Sequence, residues 1–160
     1  MELTDWILAL HLIAAALLVA ALVLFSSLII SGWKTADIPS SAARMMSISR
    51  IGSIVIGIGS LGALIFGIWL AVDIDAYSVW DGWVIGAIVL WAIAMAAGGR
   101  SGKAYAAAGE RAQKLIAAGN DAPDAELGAL MRGSSGLWLH LVTCTLILLI
   151  LIDMIWKPGA

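Results

Sequence analysis

Charge-free apolar stretches recur along the chain, each about as long as a hydrocarbon core is thick, with the polar residues gathered between them. Crossing roughly 30 Å at ~1.5 Å per residue takes about 20 apolar residues in helical form. Runs of that kind extend from Trp6 to Ile30, from Ile51 to Val72, from Gly82 to Gly99 and from Gly133 to Ile152. In lipid the backbone must satisfy its own hydrogen bonds, which selects helices for such runs. The pattern predicts an all-α integral membrane four-helix bundle, a single domain over residues 1–160 with no room for a soluble domain. The first run is too long for the apolar core of a signal peptide. Glu2 and Asp5 also stand where a signal peptide carries positive charge, so the segment is expected to remain in the protein.

Small residues repeat within two of the spans. Gly59, Ala63, Gly67 and Ala71 recur at four-residue spacing in the second, beside a stripe of Ser53, Gly57 and Ser60. Gly82 and Gly86 form a GxxxG in the third, extended by Ala94 and Gly98. Helices in lipid associate by close packing at such residues, so the second and third helices are expected to approach backbone to backbone; dimerisation through the same stripes is the alternative. Between the third and fourth spans, Gly102 to Ala118 is rich in helix-favouring Ala, Lys, Glu and Gln and is read as a prolongation of the third helix. Asn120, Asp121 and Pro123 break it. Asp121 is then the expected N-cap of a new helix, with Asp124 in its first turn. Leu127, Leu130 and Met131 share one face of that helix, to lie on the membrane or under the bundle.

Composition and charge sharpen this picture. The chain is 62% hydrophobic and 12% charged, with a mean hydropathy of +1.00, which excludes both an ordinary soluble domain and a disordered chain. A net charge of −2 with no dense Lys/Arg run excludes a nucleic-acid footprint. Eight of the nine basic residues fall in the connections 31–50 and 100–132, and only Lys157 lies beyond. By the positive-inside rule those connections are cytoplasmic and both termini lie outside, on a face holding Glu2, Asp5, Asp73, Asp75, Asp81 and Asp153. Trp6, Trp69, Trp80, Trp83 and Trp156 mark the outer border, Trp33 and Trp138 the inner one, and Trp91 alone is placed mid-span.

Ionisable groups at membrane depth are costly and hence candidates for function. His11 sits five residues past Trp6, roughly 7.5 Å below the outer border, whereas His140 lies two residues past Trp138 near the inner border. The two histidines belong to opposite leaflets, so one iron or metal ion cannot take both. Asp153, three residues before Trp156 and about 4.5 Å below the outer border, is nearly level with His11. If the first and fourth spans are neighbours, its carboxylate can orient the imidazole, fixing the tautomer for axial ligation, proton relay or metal binding. The plainer reading is a histidine satisfied by a backbone carbonyl or hydroxyl. Thr143 and Cys144 share the helical face of His140, and Asp73, Asp75 and Asp81 offer oxygens in the outer loop without a metal-loop pattern. Met45 and Met46 read as packing rather than copper capture. Cys144 is the single cysteine, which forbids an intrachain disulfide.

The stretch Leu8 to Ala16 around His11, Arg50 opening a glycine-rich second helix, and Asp153 to Pro158 at the end together carry a resemblance. The chain resembles the small predicted integral membrane proteins of unknown function grouped with CopD-type copper-resistance and HemJ-type membrane proteins. The HemJ-type resemblance implies a functional first-helix histidine, matched by His11, and an associated haem b. It also implies an intramembrane lysine, which is missing, since Lys34, Lys103, Lys114 and Lys157 lie in connections or at the terminus; oxidase activity therefore does not carry over. Two classes of function stay open for a multi-pass protein of a bacterial inner (plasma) membrane. One is a haem-binding or redox-linked protein with His11 as axial ligand, Asp153 as its orienter and His140 as a further candidate. The other is a non-catalytic accessory or assembly subunit in contact with other membrane proteins or its own copies. A small metal-ion or solute carrier is a third reading, and whether the chain is an enzyme stays open with them.

Overall fold

The computed structural model describes residues 2–74 and 76–158, and so does not cover Asp75 of the outer acidic loop. The described residues form α1 (Leu3–Gly32), a 3-10 turn (Trp33–Thr35), α2 (Pro39–Asp73), α3 (Gly82–Ala117), α4 (Ala125–Met131) and α5 (Ser134–Trp156), with no strand among them. Four of these, α1, α2, α3 and α5, are long and apolar enough to cross a membrane. All-α architecture follows from the apolar runs, but the helices overshoot them. Pro39 sits at the start of α2, where its missing N–H costs nothing, and carries the helix three turns ahead of Ile51. The connection 31–50 is therefore mostly helix. At 36 residues α3 is ~54 Å long, well beyond a hydrocarbon core, so its second half prolongs the helix as its composition suggests. It stops at Gly119, whose φ of +72° suits glycine; the Gly119 N–H donates to Ile116 and that of Asn120 to Leu115, closing the last carbonyls.

Packing divides the bundle into two antiparallel hairpins. α1 lies along α2 and α3 along α5; α2 also meets α3, while α1 and α5 barely touch. The second and third helices do approach each other, as expected, but the Gly59–Gly67 face of α2 is not where they meet. A Cβ added at Gly59 would stand 2.8 Å from the Leu18 nitrogen and 2.9 Å from the Ala14 oxygen, so the small stripe of α2 seats α1 instead. Gly82 has nothing within 4 Å, and the nearest neighbour of Gly86 is Asp153 of α5. A stripe of small residues marks a face for close approach without saying which helix occupies it. The short turn after Gly32 folds α2 directly back on α1, and that proximity decides the partner.

At the end holding the connections 31–50 and 100–132, here the linker end, the chain folds under the bundle. Leu127 and Met131 are buried with Ala36, Ala42, Ala108 and Ala112, which places α4 beneath the helices. The expected cap is corrected: Asp124, not Asp121, caps α4, accepting from Leu127 N at 2.7 Å. Asp121 reaches instead to the start of α2, accepting from Ser40 N at 2.7 Å. Arg132 donates to the Trp33 carbonyl and pairs with Asp37 at 3.7 Å, while Arg111 pairs with Asp124 and Glu126 at 2.8 and 3.1 Å. Met45 occupies the space left by Gly32 and Met46 that left by Gly109, as packing requires. At the opposite, terminal end, Thr4 donates to Asp73 and the Ser78 N–H to Asp81, so these carboxylates serve the fold. Most tryptophans at the span ends are exposed, but Trp83 turns inward against Tyr77 and Val84. Mid-span Trp91 donates to Ser60 Oγ at 2.9 Å.

Candidate functional site

His11 lies on the face of α1 that also buries Ile7, Ala14 and Leu18, and it points at α2. Its Nδ1 is 3.0 Å from the Ala63 carbonyl oxygen. A carbonyl has no proton to give, so Nδ1 carries one and Nε2 holds the lone pair in the neutral ring. Gly67, one turn after Ala63, makes room: a Cβ there would come within 3.0 Å of His11 Cε1 and 3.3 Å of Nδ1. The tautomer-fixing partner assigned from the sequence to Asp153 is thus the Ala63 backbone. Asp153 faces Gly86 on the other hairpin, its Oδ2 buried without a hydrogen-bond partner, and no hydrogen bond joins it to His11. Level placement of two residues did not pair them because α1 and α5 are not close neighbours.

His140 is more deeply enclosed than a position near the border implies, only 8% exposed. Its Nε2 is 2.8 Å from Ser26 Oγ and 3.5 Å from Cys144 Sγ. The Ser26 hydroxyl donates its one proton to Leu22 O at 2.9 Å, so His140 must donate through Nε2–H. This bond ties the two hairpins together where α1 and α5 touch. Nearby, Thr143 donates back to Leu139 O and Ser101 donates across to Gly136 O.

Beside His140 the hairpins part around a cavity of about 920 Å3, at the upper end of the ~300–1,000 Å3 usual for small-molecule sites. Each wall is an i, i+3/i+4 stripe: Leu18, Leu22 and Phe25 on α1, Met46, Arg50 and Ser53 on α2, Met95, Gly99 and Lys103 on α3, and His140, Thr143 and Ile147 on α5. From Leu18 to Trp33 it follows α1 for ~22 Å at helical rise. Its charged residues Arg50, Lys103 and Glu110, with Gln113, lie toward the linker end, and its deeper walls are largely apolar. The hydroxyls of Ser49, Ser53 and Thr143 all donate to carbonyls of their own helices, so none is presented to the imidazole as a nucleophile. Such an arrangement can hold a molecule and orient its polar end. Sequence reasoning missed the cavity, although the glycines of α3 signal it: a Cβ at Gly99 or Gly102 would meet nothing within 4 Å, so packing does not demand glycine there.

An axial haem ligand needs a lone-pair nitrogen facing space for the macrocycle. His11 has the nitrogen but is not a wall of the cavity, and His140 has the cavity but directs Nε2–H to Ser26. Among the described residues no three His, Cys, Asp or Glu side chains are grouped to hold a metal ion. No family model, curated protein or solved structure matches the chain.

Proposed function

We propose that this chain is a multi-pass membrane binding protein that holds a largely apolar small molecule between its hairpins, without chemistry of its own. On this reading both termini lie outside and the connections 31–50 and 100–132 are cytoplasmic, as the distribution of basic residues favours. The observation that carries the binding function is the cavity of about 920 Å3, with apolar depth, a polar end and no activated nucleophile.

The test is native mass spectrometry of protein purified in mild detergent, beside its optical spectrum. A retained molecule of lipid-like or porphyrin mass is expected in the wild type. Its occupancy should fall in Gly99→Leu, whose side chain enters open space and leaves the helix contacts intact. A Soret band lost in His140→Ala and kept in His11→Ala would identify the occupant as haem b in the cavity. The same band lost only in His11→Ala would overturn the cavity reading. No retained molecule in the wild type, even after incubation with membrane lipid extract, would also overturn it and favour an accessory subunit.

A further inference from the structure

The cavity is chemically polarised, and its charge is not balanced from within the fold. Arg50 immediately precedes the apolar stretch of α2, and Lys103 follows the apolar stretch of α3 by one turn, so both stand at the boundary between apolar and polar wall. Two other cations of the linker end are used structurally: Arg111 pairs with Asp124 and Glu126, and Arg132 with Asp37. Arg100, on the same helix as Lys103, turns its Nη1 back to Ala96 O and is not a wall of the cavity. Arg50 and Lys103 alone combine exposure, a place in the cavity wall and no carboxylate within 4.0 Å among the described residues. Glu110 is the one acidic side chain of the wall, so the end carries a formal excess of one positive charge.

Resting on the binding function proposed above, we infer that the occupant is an anionic amphiphile, with its acidic group between Arg50 and Lys103 and its apolar body running toward Leu18 and Ile147. A guanidinium and an ammonium suit a phosphate or carboxylate through charge-assisted hydrogen bonds. Beyond Arg50 and Lys103 the walls are mainly Leu, Ile, Met, Phe and Gly, and the polar side chains among them, Ser53, Ser101, His140 and Thr143, are hydrogen-bonded within the protein. A neutral ligand would leave both cations unmatched at the edge of lipid. A phospholipid and a porphyrin with propionates share this chemistry, and the optical spectrum separates them.

The experiment loads the full chain in detergent with phosphatidylglycerol or phosphatidylcholine of identical acyl chains and reads retention by native mass spectrometry. Two cations near an anionic head should favour phosphatidylglycerol by roughly tenfold to thirtyfold. The preference should vanish in the double variant Arg50→Gln/Lys103→Gln and persist in Arg50→Lys. Both cations are exposed and unpaired, so the double variant is expected to fold; circular dichroism checks that, and Arg50→Gln alone should show an intermediate preference. A colourless protein with this pattern identifies a lipid, whereas a Soret band weakened by the double variant identifies a porphyrin acid. Equal retention of both lipids, reduced by Gly99→Leu, would overturn the anionic assignment and leave the binding function standing. Retention of neither, with Gly99→Leu indistinguishable from wild type, would overturn both.

Discussion

A histidine in a membrane helix is defined by what its two nitrogens face, and the two in this chain are opposite cases. His11 donates Nδ1–H to Ala63, an arrangement that depends on Gly67 leaving space for the ring. In Gly67→Ala the new methyl should push the ring off the carbonyl. We expect nitrogen NMR of the His11 ring to change from one tautomer to a mixture, with an overpacking cost on the order of 1–3 kcal/mol; an unshifted ring spectrum would refute the assignment. His140 instead donates Nε2–H to Ser26 across the hairpins. Ser26→Ala leaves a buried donor unmatched and should lower stability by about 1–3 kcal/mol, measured by thermal unfolding in detergent. Ser26→Thr, which keeps the hydroxyl, should retain most of it. The serine escaped sequence reasoning because hydroxyls in membrane helices ordinarily bond back to their own turn, as Ser26 also does to Leu22.

Among the elements, α4 shows how short segments acquire stability from their surroundings. A helix of 7 residues does not persist alone in water; this one is capped by Asp124, stapled by Arg111 and buried through Leu127. The Arg111 guanidinium, followed by the Leu127 N–H, holds the Asp124 carboxyl below the usual carboxylate range. A carboxyl with a lowered folded pKa contributes stability above its unfolded pKa and loses it as pH falls through the folded value. Acidification below the ordinary carboxylate range should therefore loosen α4, seen as faster amide exchange at Leu127 and Gly128. Asp124→Asn should exchange faster at neutral pH and respond less to acid; an identical acid response in the variant would contradict the role. The aspartate motif was legible in the sequence as a helix restart, but the choice between Asp121 and Asp124 was not. Asp121 is taken by the Ser40 N–H of α2, a partner 81 residues away.

Over the whole molecule, both basic connections meet at one end through Asp121–Ser40 and Arg132–Trp33, so any membrane orientation puts them on the same side. The N-out, C-out reading then predicts labelling by an impermeant thiol reagent on intact cells. In a Cys144→Ala background, Ser78→Cys should be labelled from outside and Ala122→Cys only after permeabilisation; the reverse pattern would invert the topology. The same scale explains the cavity. Two hairpins, each closed on itself by α1–α2 and α3–α5 packing, leave the space between them lightly bridged at α1–α5.

The order of the residues by itself determined the helical class and the placement of the apolar runs, because a backbone with no water to bond must coil on itself wherever the side chains are apolar for long enough. It also located the small-residue faces and both histidines along their helices. Which helices became neighbours was decided only in three dimensions: Gly59 met α1 rather than α3, His11 met Ala63 rather than Asp153, and Arg50 and Lys103, 53 positions apart, came to share one wall-lined space. Depth in a membrane is a one-dimensional coordinate that helical rise supplies from sequence. Azimuth and helix order depend on the sum of many weak contacts between segments, and those exist only once the chain has packed.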